Sequence, residues 1–365
     1  MSSSIGKNIK VTLFGESHGS AVGCVIDGLP ANMHIDFEHI EKRLAQRRPG
    51  QSALTTARTE TDRFEIVSGV FNGKTSGTPL CVQFQNADRK PLDYDAVKRV
   101  YRPGHADFTG SMKYHGANDL RGGGHFSARL TAPLVFAGAL AEHLLYQRGI
   151  KIASQILKIG KAESESIGGH AYYDEALELL DASPYNIDPR YYEALIHEVT
   201  LAKQEGDSVG AIVETAVFGM PVGLGAPFFD TVEGQLSYAM FGIPAMKGIS
   251  FGDGFDFASK RGSDVVDAYI MDHQGQVKTN ANHNGGINGG ISNGMPLHFK
   301  CVFKPTASIG IAQQTLDFES QEMTELKIEG RHDPCVALRA VPIVKAVTAL
   351  VILDMLIAEQ GRDFI

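Results

Sequence analysis

Two histidines, an aspartate and a set of arginines in glycine-rich surroundings are the residues of this sequence best suited to chemistry. His18 lies in GESHG (15–19) and His105 in RPGHAD (102–107), each among small neighbours. There an imidazole can reach a ligand and change charge near neutral pH. Asp333 lies in RHDPC (331–335), where Arg331 two residues before it favours the ionised, proton-accepting carboxylate. GGGHFSAR (122–129) joins a glycine run, through which backbone N–H groups approach an anion, to Ser127 and Arg129, a hydroxyl and a guanidinium fork for phosphate or carboxylate. It lacks the GK[ST] ending of a Walker A loop. KPTAS (304–308) offers one cation and two hydroxyls after a strand. Each segment also has an ordinary reading: a plain glycine loop, a strand end, or, for Asp333 ahead of Pro334, a helix N-cap. His34, His39, His143, His170 and His197 read as structural or surface groups. A His/carboxylate metal cluster of His18, His105, Asp107 and Asp333 is a sharper rival, although no HxxxH or close histidine pair supports it.

Composition narrows the classes. The net charge of −8 over 365 residues argues against a nucleic-acid binder. Yet Arg43, Arg47, Arg48, Arg102, Arg121, Arg129, Arg331 and Arg339 fall in segments that also carry Gly, His or Ser, a pattern suited to a small polyanionic ligand. Hydrophobic residues make up 43% and charged ones 21%, enough for a sizeable core. The apolar run 342–359 is interrupted by Lys345 and Asp354, and the opening MSSSIGKNIK has no secretory stretch. Cys24, Cys81, Cys301 and Cys335 are scattered without a CxxC pair. The expectation is a soluble protein of the reducing cytoplasm.

The elements that must position these residues are mostly antiparallel. Strands at 11–14 and 21–26 form a hairpin with His18 at its tip, and 64–70 pairs with 80–84 around Asn72-Gly73. Asp36 caps a helix with Phe37, Ile40, Leu44 and Arg47 on one face, so Arg47 should point inward; Pro49-Gly50 ends it. A short helix over about 93–101 leads into RPGHAD. The glycines at 122–124 open a helix that is apolar on every side, hence buried from more than one direction. A second apolar helix follows Asp333 and is kinked at Pro342. Between them come a helix near 189–205, strands near 209–217, 247–251 and 297–303, and a Gly/Asn/Asp-rich stretch, 252–294, with the composition of a backbone-lined ligand loop.

Together, GESHGSAVGCVIDGLP (15–30), GGGHFSARLTAPLVFAGAL (122–140) and RHDPCVALRAVPIVKAV (331–347) resemble the three diagnostic segments of the chorismate synthase family. RRPG (47–50), SGVFNGKTSGTP (68–79), RPGHADFT (102–109), FGDGF (251–255) and KPTAS follow in the same order, so the resemblance spans nearly the whole chain. It implies an α+β fold, a β-α-β sandwich of antiparallel sheets around central helices in one domain, 1–365, assembled as a homotetramer. It implies a lyase of the shikimate pathway: 1,4-anti elimination of phosphate from 5-enolpyruvylshikimate 3-phosphate, dependent on reduced FMN. Two ligands with two phosphates and two carboxylates would account for concentrated arginines in an acidic chain.

By the same resemblance, His18 assists the departing phosphate as an acid, His105 acts on the flavin, and Asp333 helps flavin N5 take up the substrate proton. Arg48, Arg102 and Arg129 hold the substrate's anionic groups. FMN falls to His125, Phe126, Ser127, Pro244, Ala245, Gly289, Lys304, Pro305, Thr306, Ala307, Ser308 and Arg331, while Arg47 matches a position linked to a nicotinamide nucleotide or another anion. The 252–294 stretch would close over the flavin. The sequence departs from the family pattern at HFSAR for RSSAR, Pro244-Ala245 for Asn-Ala, Ala53 for arginine and Lys345 for glutamate. Without arginine at 53 no intrinsic flavin reductase is inferred; NADPH would serve indirectly, through an external flavin reductase. The rivals are a metal-dependent phosphohydrolase and a noncatalytic flavin or phosphate-binding module.

Overall fold

The computed structural model describes residues 3–48, 62–86, 99–169, 189–328 and 333–361. Two five-stranded sheets, antiparallel throughout, enclose a layer of helices. The first runs Ser4–Ile5, Lys10–Gly15, Ala21–Asp27, Leu80–Gln85, Phe64–Ser68. The second runs Met246–Phe251, Leu297–Phe303, Ala211–Phe218, Lys151–Ile159, Ala162–Glu163. Both expected hairpins of the first sheet form, with Leu13 opposite Cys24 and Phe64 opposite Phe84. The expected sandwich of antiparallel sheets and central helices is the observed architecture.

Composition explains the middle layer. In Thr131–Gln147 and Ala337–Gln360 apolar side chains occupy nearly every position, so neither helix has a face to give to water, and both are buried along most of their length. The two helices pack on each other; the first also lies against the inner face of the first sheet and the second against Lys151–Ile159 and Ala211–Phe218. A methyl on Gly138 would stand 2.2 Å from the Ala346 Cβ, so only glycine permits this close crossing. Ala337–Gln360 is long and apolar enough to cross a membrane, yet 83% of that window is buried within the fold. It runs through Pro342 as one continuous helix.

Two expectations about helix starts are corrected. Asp333 is not an N-cap: the helix begins at Ala337, beyond the reach of a capping carboxylate, and the Cys335 sulfur meets the Ala337 and Leu338 backbone instead. Nor do the glycines open the first central helix directly. A 3₁₀ segment, Arg121–Phe126, and a further turn, Ala128–Leu130, intervene, and Ser127 caps that turn by accepting from the Arg129 N–H at 3.3 Å. Phe37–Arg47 does form a helix capped by Asp36, which accepts from the His39 N–H at 3.0 Å, and Arg47 is fully buried on its inner face. The 93–98 part of the helix read before RPGHAD, and Pro49-Gly50, lie outside the described residues.

Candidate active site

A cavity of about 1290 Å³ opens where the first sheet, the 102–130 loops, the Val232–Met240 helix and the start of Ala337–Gln360 meet. Its described lining carries six cations, Arg102, Lys113, Arg129, Lys247, Lys304 and Arg339, against one carboxylate, Asp333. Leu13, Phe126, Leu134, Ile243, Met246, Val336 and Val347 supply apolar wall. A large cavity, apolar in part and strongly biased to positive charge, suits a flat organic group bearing phosphate or carboxylate.

The glycine loop sets the wall's shape. Gly122, Gly123 and Gly124 have φ of +57°, +90° and +54°, a region that favours glycine. A Cβ on Gly122 would meet His18 Cε1 at 2.2 Å, and one on Gly124 would meet the Asp119 carbonyl oxygen at 1.9 Å. The loop is therefore pressed onto its neighbours. His125 follows it, with Nδ1–H donating to the Gly15 carbonyl at 2.9 Å and Nε2 taking the Ser3 hydroxyl at 3.0 Å. On the facing side Ala245 has φ +67°, a conformation unusual for a residue with a Cβ.

Asp107 organises the RPGHAD segment. It accepts from Arg102 Nε at 2.7 Å and Nη2 at 2.8 Å, and His105 Nδ1 stands 2.6 Å from Oδ1. Burial alone would raise its pKa, but the hydrogen bonds from Arg102 and His105 hold the carboxyl well below the usual carboxylate range. Arg102 Nη1 reaches the Ser308 hydroxyl at 3.2 Å, and Lys304 Nζ donates to the Gly104 carbonyl. Thr306 Oγ1 donates to the Asp333 carbonyl at 3.1 Å, while Asp333 Oδ2 accepts from Arg339 Nη1 at 2.8 Å. Arg339 Nε also bonds the Arg47 carbonyl at 3.0 Å, tying Asp333 to the end of the Phe37–Arg47 helix.

Of the residues singled out in the sequence, His105, Asp333, Arg102, Arg129, His125, Phe126, Ser127, Pro244, Ala245, Lys304, Thr306, Ala307 and Ser308 line this one cavity. His18 is buried a layer behind, against Gly122. Arg47 is turned inward: Nε and Nη2 donate to Asp62 Oδ2 at 3.1 and 2.7 Å, and Nη1 donates to Thr131 Oγ1 at 3.2 Å. Among the described residues, Arg48 is not part of the cavity lining and its buried Nε meets no hydrogen-bond partner. Pro305 packs beside Gly210, Gly289 sits in the exposed turn of the Ile287–Ser292 ribbon, and Arg331 lies outside the described residues. Among the described residues, none from 252–294 lines the cavity. The four groups of the rival metal cluster do not come together: among the described residues no three His, Cys, Asp or Glu side chains form such a set.

The sequence reading missed three groups. Asp62 bridges Arg47 and Arg129; burial favours its neutral form, but the two arginines together keep its pKa lowered. It comes from a segment with no pattern to mark it. Arg339 had appeared only as one of several arginines, although its place six residues after Asp333 near a helix start was a usable signal. From sequence alone Asp107 reads only as a metal ligand. Lys345, in place of the family's glutamate, pairs with buried Glu142 at 2.9 Å, away from the cavity.

Comparisons with known proteins agree with one another. The family described as chorismate synthase matches residues 9–357. The chain is 44% identical over 354 residues to chorismate synthase of Pyrococcus abyssi, covering 96% of this chain and 97% of that one. It is 44% identical over 350 residues to chorismate synthase of Methanosarcina mazei, covering 96% and 94%. A crystal structure of chorismate synthase superposes with a TM-score of 0.77 at 27% identity, covering 99% of this chain and 95% of the other.

Proposed function

From the chain's membership of the chorismate synthase family, we propose that its reaction is the 1,4-elimination of phosphate and a ring proton from 5-enolpyruvylshikimate 3-phosphate, giving chorismate with no net redox change. A ring C–H bond and the C–O bond to phosphate break, a new ring double bond forms, and a proton and phosphate depart. The observation that carries the reading is the cavity's six cations against one carboxylate, with His105 and Asp333 on the same wall.

The residues present suit FMN. Phe126, Ile243 and Met246 give apolar wall, Ser127, Thr306 and Ser308 give hydroxyls, and Lys304 a cation, all on the cavity. Reduced FMN, when bound, would supply an electron-rich ring system next to the substrate. The chain's own groups bind and move protons. Arg102 and Arg129 present guanidinium forks to phosphate and carboxylate. Asp333, steadied by Arg339, and His105, steadied by Asp107, are the proton-handling groups on the wall. His18 packs against Gly122, itself part of the cavity lining, which sets it beside the wall for an acid role at the leaving phosphate. The proposal includes a single domain over 1–365, the cytoplasm as location, an external flavin reductase drawing on NADPH, and a homotetramer. Phe228 and Phe229, 88% and 93% exposed, are apolar surface that assembly would cover.

The test is anaerobic incubation of chelated protein with photoreduced FMN and 5-enolpyruvylshikimate 3-phosphate, following chorismate absorbance and phosphate release. Both products should appear together and only with reduced FMN. Phosphate without chorismate would instead favour a hydrolase, and FMN binding without turnover a binding module.

A further inference from the structure

One carboxylate holds two of the residues on which the preceding reading relies. Asp107 opens the Asp107–Lys113 helix and its side chain is only 1% exposed, whereas His105 is 23% exposed at the cavity. Its Oδ2 accepts from Arg102 Nε at 2.7 Å and from the Arg102 backbone N–H at 3.3 Å; its Oδ1 accepts from Arg102 Nη2 at 2.8 Å. His105 Nδ1 stands 2.6 Å from that same Oδ1 and 3.0 Å from Arg102 Nη2.

These distances choose a tautomer. If Nδ1 were bare it would accept from Arg102, but its lone pair would then face a carboxylate oxygen across 2.6 Å. If Nδ1 carries the proton it donates to Oδ1, and Arg102 Nη2 still donates to that oxygen. The second arrangement makes two charge-assisted bonds and no lone-pair clash. The other edge of the ring then faces the glycine loop: a Cβ on Gly123 would stand 3.5 Å from His105 Cε1 and 3.6 Å from Nε2.

We infer that Asp107 is a positioning residue, fixing His105 as the Nδ1–H tautomer with Nε2 left on the glycine-loop edge of the ring and, through the same two oxygens, holding Arg102 in the cavity wall. The charged groups near the ring are consistent with this division. Arg102 and Asp107 share its loop, Lys304 bonds the adjacent Gly104 carbonyl, and His125, Arg129, Asp333 and Arg339 line other parts of the cavity. Among the described residues Asp107 is the carboxylate bonded to His105.

The inference builds on the proposed reaction, but its first readout does not. Long-range proton–nitrogen spectra of ¹⁵N-histidine-labelled protein without ligand, assigned by the signal lost in His105→Gln, report the ring tautomer. Wild type should show Nδ1–H. In Asp107→Asn the amide must keep its oxygen for the two donors at the Oδ2 position, which turns its NH₂ toward His105, so the ring should switch to Nε2–H. Turnover should then fall roughly 10²- to 10⁴-fold, as when an orienting carboxylate becomes an amide in a His–Asp pair, with KM changing by less than about one-tenth of that factor. An Nε2–H tautomer in wild type, or an Asp107→Asn protein that keeps the wild-type tautomer, overturns the inference. If Asp107→Asn does not fold, the wild-type spectrum still decides. If the wild-type chain makes no chorismate, the reaction proposal fails and the ring spectrum remains informative about Asp107.

Discussion

Buried carboxylates with two cations each stand at opposite ends of the Thr131–Gln147 helix, and only one of them concerns the cavity. At the helix start, Asp62 bridges Arg47 and Arg129, with both partners of the Arg47 pair at zero exposure. Near its end, Glu142 accepts from Arg43 at 2.8 and 2.7 Å, from Lys345 at 2.9 Å and from His39 at 3.2 Å. In each, burial pushes the carboxyl pKa up and the surrounding cations more than reverse it. Arg129 lines the cavity; none of the Glu142 set does. A buried ion pair is therefore no mark of function here. The same device fastens helices in one place and holds a cavity-lining guanidinium in the other.

The largest expected effect comes from deleting the bridging acid. Asp62→Ala leaves two buried guanidinium groups without their carboxylate and should destabilise the fold by about 3–5 kcal/mol, read as a urea midpoint, with chorismate formation lowered as Arg129 loses that partner and keeps its bonds to Asn86 and the Gln85 carbonyl. Next, Arg129→Lys keeps the charge but loses the fork. It should lower kcat/KM by about 10- to 100-fold, on the order of a bidentate contact, with little change in Tm, whereas Arg43→Lys should leave kcat/KM of the folded protein within twofold. Equal activity losses in the two would erase the distinction drawn between the clusters. The combined change Arg43→Met, Glu142→Gln and Lys345→Met removes the cluster's charges as a unit and should alter stability by only about 1 kcal/mol, measured by the same urea titration.

The smallest effect is one of pH. Glu142 is held well below its ordinary 4.5, so its contribution is fully present above about that value and lost as pH falls toward its folded pKa. Urea midpoints of wild type should therefore decline below pH 4.5, and in Glu142→Gln that decline should be shallower.

Much of this was legible in the residues. Apolar residues on all sides of 131–147 and 337–360 demanded two buried helices, and alternation gave the hairpins. The inward Arg47 followed from its place on the Ile40 and Leu44 face. The partners of charged groups were not legible, because pairing is settled by tertiary approach: Asp62 meets Arg129 from 67 positions away. Nor was it legible that 252–294 leaves the lining of the cavity to other segments among the described residues. Glycine and asparagine richness signals turns, and here it builds 3₁₀ turns and the two small ribbons Tyr269–Thr279 and Ile287–Ser292. Asp333 was misread as a cap because the Asp-Pro pair fixes a turn without fixing where the helix hydrogen bonds begin.

The glycine crossing at Gly138 and Ala346 has a consequence for how the protein comes into being. The helix that presses on Gly138 follows its partner by some two hundred positions in the chain. Throughout that interval Thr131–Gln147 has one sheet to lean on and an uncovered apolar flank. The nascent chain is thus a half-closed book over that interval, exposed to wrong partners and to chaperones alike, and it closes only when Ala337–Gln360 slides into the spine.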